Sequence, residues 1–126
     1  MKAADFRRIA LSMPNAFEGS HFGVADFRTG AGRIFATLAY EKKGSGVLML
    51  TQDQQAGMVA DAPEMFSPVP NTWGKQGATL VHLAAVTPDV LEGAIRTAWL
   101  TVDSKASAKK RTATQKKATR KKKAAL

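Results

Sequence analysis

The chain contains no cysteine, one tyrosine, two tryptophans and two histidines among its 126 residues. Without cysteine there is no disulfide framework, no thiolate metal ligand and no cysteine nucleophile. No apolar run approaches the roughly 18–20 residues that cross a bilayer, so membrane insertion is not expected. The opening residues, Met1-Lys2-Ala3-Ala4-Asp5-Phe6-Arg7-Arg8, lack the apolar core and cleavage site of a secretory signal. A soluble, cytoplasmic protein is the expectation. There is also no phosphate loop and no Gly-x-Ser-x-Gly elbow. Gly30-Ala31-Gly32 and Gly44-Ser45-Gly46 open no helix, so they read as hairpin turns and not as a dinucleotide fingerprint. A metal site would need His21 and His82 together with a carboxylate such as Glu18, and nothing in the spacing unites them. A Glu18–His21 acid/base pair is the one catalytic pairing on offer, and it has no partners. The expectation is a non-enzymatic protein with no cofactor and no metal.

The last 23 residues lack acid altogether. From Met1 to Asp103 nine basic residues stand against ten acidic ones, a balance of −1; from Ser104 to Leu126 there are ten basic residues and no acidic one. The net charge of +9 therefore belongs to one end of the chain. The division falls between a globular domain, 1–103, and a basic low-complexity tail, 104–126. Lys105, Lys109, Lys110, Arg111, Lys116, Lys117, Arg120, Lys121, Lys122 and Lys123 alternate there with Ala, Ser and Thr. Self-repulsion and the absence of large apolar side chains predict a tail disordered on its own. Its Lys and Ala content favours helix once phosphates neutralise the charge. Such a segment suits DNA, and RNA by the same chemistry, through counterion release and without reading bases. Nothing apolar accompanies the charge to enter a membrane.

Within the domain the hydrophobic pattern changes period several times. Phe6, Ile9, Ala10 and Met13 mark a helix stripe that ends at Pro14-Asn15. A strand-like region around Phe17 to Phe22 follows, then Phe27-Arg28 and a glycine turn at Thr29 to Gly32. Arg33 to Tyr40 alternates, which places Ile34, Ala36, Leu38 and Tyr40 on one face. Val47 to Leu50 reads as a central strand. Thr51-Gln52-Asp53-Gln54 has the form of a capping box, opening a helix to about Ala62. Pro63, Pro68 and Pro70 break the next stretch, with Met65 and Phe66 as apolar plugs. Thr72 to Gly77 reads as a turn and Thr79 to Ala84 as a strand. Thr87-Pro88-Asp89 starts a last helix that buries Val90, Leu91, Ala94, Ile95 and Trp99. The order α-β-β-β-β-α-β-α predicts an α+β fold: two layers, a mainly antiparallel sheet with helices on one face.

Glu18-Gly19-Ser20-His21-Phe22-Gly23, Phe27-Arg28 and Gly32-Arg33-Ile34-Phe35-Ala36 resemble the N-terminal half of the MmcQ/YjbR family. Phe66 to Pro70, Trp73-Gly74-Lys75-Gln76-Gly77 and the closing helix resemble its C-terminal half, and the likeness spans roughly Ala3 to Val102. The resemblance implies a two-layer fold with one antiparallel sheet. It also implies DNA binding, through loops likened to paired wings, and it carries over no catalytic residue. The basic tail lies outside the family pattern and looks like those of linker histones and of some bacterial nucleoid proteins.

Two further groups of residues are candidates. Arg28 and Arg33 flank one turn, Lys42 and Lys43 lie in the next, and Lys75 lies in a third. These are the domain's weaker DNA contacts, although consecutive turns of a meander lie at opposite ends of a sheet. Leu80 and His82 alternate with Val81 and Leu83, so they fall on the face away from the helices. With Trp73, which anchors a loop or stacks on a base, they form a candidate surface for a protein or small-ligand partner. The leading expectation is a nucleoid-associated DNA-binding protein. The alternative is an interaction module with the tail as a nucleic-acid tether.

Overall fold

The computed structural model describes residues 1–122, with side chains described through Lys105. Helix α1, Ala3–Leu11, buries Phe6, Ile9 and Ala10 on the predicted stripe, and Met13 is buried just beyond its end. Asp5 closes the start of this helix, its carboxylate accepting from the Lys2 N–H at 2.7 Å. Four strands follow: β1 Phe17–His21, β2 Val24–Arg28, β3 Ile34–Thr37 and β4 Ser45–Met49, each antiparallel to the next. Helix α2, Gln52–Asp61, opens on a complete capping box. Thr51 Oγ1 accepts from the Gln54 N–H at 3.0 Å, and Gln54 Oε1 accepts from the Thr51 N–H at 2.9 Å. Strand β5 Phe66–Pro68, short helix α3 Thr72–Lys75, strand β6 Ala78–His82 and helix α4 Pro88–Lys122 complete the order. The sheet runs β1-β2-β3-β4-β6-β5 and is antiparallel throughout. This is the α+β architecture expected.

Two elements are additional. Strand β5 arises from the proline-broken stretch. Pro68 has no N–H to give to a ladder, and β5 is an edge strand, the position where that omission is tolerated. Helix α3 replaces the expected turn because Asn71 caps it, with Oδ1 accepting from the Trp73 N–H at 2.8 Å. The alternation expected along β3 also fails. Phe27 pairs with Ala36 and Arg28 with Ile34, so β3 carries an extra residue, Phe35, opposite that step. A bulge of this kind interrupts alternation. Phe35 and Ala36 are accordingly both fully buried in one core cluster, while Ile34 is part-exposed and Tyr40 joins the opposite face.

The main core lies between the sheet and helices α1, α2 and α4. Phe6, Phe27, Phe35, Leu48, Val81, Leu91 and Ile95 are all fully buried in it. Each such side chain stabilises the fold by about 1.5–3 kcal/mol relative to exposure. Val90, expected among them, is 37% exposed and lines a cleft toward α2 instead. On the other face Val47, Val69 and Ala78 form a smaller cluster covered by Tyr40, Met49, Trp73 and Leu80.

The path of α4 positions everything that follows. After β6 the Leu83 N–H donates to the Gly44 carbonyl at 3.0 Å, so α4 begins at the end of the sheet where β3 turns into β4. Thr87 Oγ1 accepts from the Val90 N–H at 3.4 Å. Leu91, Ala94, Ile95 and Ala98, with Trp99 and Val102 beside them, lay the helix across the core. It leaves at the opposite end, and its helical backbone continues through the basic segment to Lys122, where the sequence predicted disorder without phosphate; the Lys and Ala content favours the helix.

Candidate nucleic-acid interface

Antiparallel pairing sorts the basic turns between the two ends of the sheet. Met49 pairs with Ala78 and Thr79 with Pro68, so the turn carrying α3 stands at the end of the sheet where β2 turns into β3. Arg33 and Lys75 therefore share one end. Helix α4 emerges there too: Val102 and Lys105 line a cleft of about 440 Å³ with Arg28, Gly32, Arg33 and Ile34. The same two residues line a smaller cleft of about 170 Å³ toward Trp73 and Gln76. The first tail lysine is thus seated between the two basic turns. Sequence reasoning assigned Lys105 to the tail and Arg33 to the domain; only the crossing of α4 joins them. One carboxylate, Asp103, lies part-buried two residues before Lys105.

Ion pairing separates the available cations from the occupied ones. Arg7 pairs with Glu18 at 3.0 Å, Arg8 with Asp5 at 3.7 Å, Arg28 with Asp26 at 2.7 Å and Arg96 with Glu92 at 3.3 Å. Among the described residues Arg33, Lys75 and Lys105 are exposed and take part in no ion pair. Those three are the cations that this end offers to phosphate.

Arg28 has other work. Its Nε donates to Asp26 Oδ1 at 2.7 Å and its Nη2 to Oδ2 at 3.1 Å, while the His21 ring approaches Oδ2 at 2.7 Å. Asp26 is fully buried. The Arg28 hydrogen bonds, opposed by desolvation and helped by His21, hold its carboxyl below the usual carboxylate range. The same contact raises the Arg28 guanidinium. Gly19 makes room for the pair, since a Cβ there would lie 2.7 Å from Arg28 Nε and 2.8 Å from Asp26 Oδ1. A Glu18–His21 acid/base pair does not form. Residues three apart on a strand point to opposite faces, and Glu18 bonds Arg7 while His21 turns to Asp26.

The sign of the pH dependence follows from the lowered Asp26 value. The stabilisation is complete above the unfolded carboxyl value of about 4 and is lost as pH falls through the lower folded value. Asp26→Asn should cost about 2 kcal/mol at neutral pH, the worth of charge-assisted hydrogen bonds. It should also flatten the acid limb of the unfolding curve followed by circular dichroism.

The remaining candidates lie elsewhere. Lys42 and Lys43 occupy a 3₁₀ turn, Glu41–Lys43, at the far end of the sheet. Leu80 and His82 do fall on the face away from α1 and α4, but both are part-buried. Both His82 ring nitrogens are engaged, Nδ1 with Ser45 Oγ at 3.2 Å and Nε2 with Ser67 Oγ at 2.8 Å. Trp73 packs with Val47, Val69 and Ala78 as a part-buried loop anchor. The side chains of Lys109, Lys110, Arg111, Lys116, Lys117, Arg120, Lys121 and Lys122 lie outside the described side chains, and Lys123 outside the described residues. Among the described residues no three His, Asp or Glu side chains gather to hold a metal, and no helix is long and apolar enough to cross a membrane.

Comparison with known proteins agrees with this architecture. The profile of the YjbR family matches residues 11–101. The crystal structure of protein DR2400 of Deinococcus radiodurans, described as a DUF419 domain, superposes with a TM-score of 0.69 at 18% identity. The match covers 83% of this chain and 80% of that one, and at this identity it speaks for the fold alone. No curated protein matches the chain.

Proposed function

Because the chain belongs to the YjbR (MmcQ/YjbR) family and continues its domain into ten cations, we propose that it is a non-enzymatic, nucleoid-associated protein of the cytoplasm. It holds duplex DNA largely without regard to sequence. The observation that carries this reading is that Arg33 and Lys105 line one cleft where α4 leaves the domain, at the end of the sheet that also carries Lys75. Phosphates held by the tail would pass from Lys105 to Arg33, with Lys75 at the same end of the sheet. Lysines bind phosphate as point charges and release condensed counterions, so affinity comes without base readout. RNA offers the same backbone chemistry, and duplex DNA is the partner tested first.

The test is fluorescence anisotropy of the full chain with a random duplex at several salt concentrations. Neutralising six to ten phosphates lowers affinity by roughly three to five decades between 50 and 200 mM salt. Arg33→Ala and Lys75→Ala should each reduce the slope of log K against log salt by about one. A change of less than about tenfold over that range overturns the proposal.

A further inference from the structure

Phe22 and Gly23 join β1 to β2, with φ of 50° and 74°. Two-residue loops of this left-handed kind favour Asn, Asp and Gly, because a side chain at positive φ crowds its own backbone. Among the described residues the other non-glycine at positive φ is Asn15, at 60°, a type that tolerates it. Phe22 is not such a type, and the fold gives its ring no burial: it is 101% exposed. Its aromatic neighbour is the His21 ring, edge-on at 6.1 Å, which Asp26 holds in place. A bulky apolar ring is thus held out at a fixed tip against two separate costs, backbone strain and solvation.

The tip has cations beside it. The Leu38 N–H donates to the Ala25 carbonyl at 3.0 Å, which lays the chain leaving β3 against the start of β2. The Glu41–Lys43 turn consequently stands at the same end as Phe22, about 10 Å away by two strand spacings. Lys42 and Lys43 are exposed there and form no ion pair among the described residues; Glu41 is the carboxylate in that turn. A flat apolar ring with two cations together on one side of it matches a planar base and the phosphates that follow it along one strand.

We propose that Phe22 is a stacking platform for an unpaired nucleobase, with Lys42 and Lys43 on the adjoining phosphates. This rests on the nucleic-acid reading above and narrows it to DNA in which some bases are unstacked. Every base has a π-face, so stacking adds affinity without sequence preference.

The experiment uses the full chain and a duplex bearing 2-aminopurine in a three-nucleotide bulge, beside the same duplex fully paired. The wild-type chain should perturb the bulge fluorescence and bind bulged DNA about tenfold tighter than paired DNA. Phe22→Asn suits the left-handed turn, so it removes the ring without straining the hairpin. It should abolish the fluorescence change and the preference while leaving affinity for paired duplex unchanged; Phe22→Trp should retain both. A wild-type chain that binds paired and bulged DNA alike, with no fluorescence change, overturns the assignment in favour of a protein contact at the tip. So does a Phe22→Asn variant that keeps the preference. Failure of the duplex-binding reading shows separately, as loss of tail-dependent affinity for both DNAs, and it overturns this proposal as well.

Discussion

Ending the chain at Asp103 is expected to lower affinity for paired DNA about a thousandfold at 50–100 mM salt and to flatten its salt dependence. Ten of the nineteen basic residues lie beyond that point, and the part that remains has a balance of −1. A domain of that charge exerts no long-range attraction on a polyanion. Arg33 and Lys75 stay in place, but as two point contacts without the lysines that bring phosphate to them. The fold should survive, because among the described residues Val102 is the last of α4 packed against the core. Circular dichroism would confirm this before binding is compared. If the shortened chain binds within tenfold of the full one, the turns themselves carry the affinity, and Arg33, Lys42, Lys43 and Lys75 become the residues to change together.

The second large effect is structural. Gly77→Ala should destabilise the domain by about 3 kcal/mol and lower its melting temperature by roughly 10 °C. Gly77 has φ of +116°, outside the conformations open to residues with a side chain. An added Cβ would also fall 2.0 Å from the Leu50 carbonyl oxygen and 3.0 Å from its carbon, and backbone cannot swing aside as a side chain can. The displacement would spread. Gln55 Nε2 donates to the carbonyls of Gly74 and Ala78 at 2.9 and 2.8 Å, and Gln52 Nε2 to that of Lys75 at 2.8 Å. The loop holding Trp73 and Lys75 is therefore fastened to α2 by backbone positions on both sides of Gly77. Thermal unfolding and the tryptophan emission of Trp73 should report the change together.

Local chemistry made much of the fold legible. The Phe6-Ile9-Ala10-Met13 stripe, the Thr51 capping box and the Thr87-Pro88 start each depend on neighbours a few residues apart, and each formed as read. Strand β5 was hidden because three residues between prolines show no period, and its identity comes from pairing with β6. The β3 bulge was hidden for a related reason. Ile34 to Tyr40 alternates in composition, but the step opposite Phe27 and Arg28 is a property of two strands. The candidate interface divided in the same way. The tail was visible as bare charge, whereas the grouping of Arg33, Lys75 and Lys105 depends on where a helix crossing the whole domain comes out. Occupancy by Asp26 set Arg28 apart, a pairing two residues away along β2 whose acid gave no sign of being buried. Phe22 left one clue, an aromatic where His21 and Gly23 frame a two-residue turn.

The margins of the sheet acquire a further meaning at the densities a polymer imposes. On the proposed function, copies held along one polyanion would lie side by side, where an open strand could recruit a neighbour's strand and start a ribbon. Strand β5 is three residues long and closes on Pro68, which has no N–H to offer. At the other margin β1 sets Glu18, in its pair with Arg7, and the side-chain-free Gly19 along the rim. Neither rim presents a long, flat, apolar template. If the protein is crowded on DNA as proposed, each molecule should stay a separate bead.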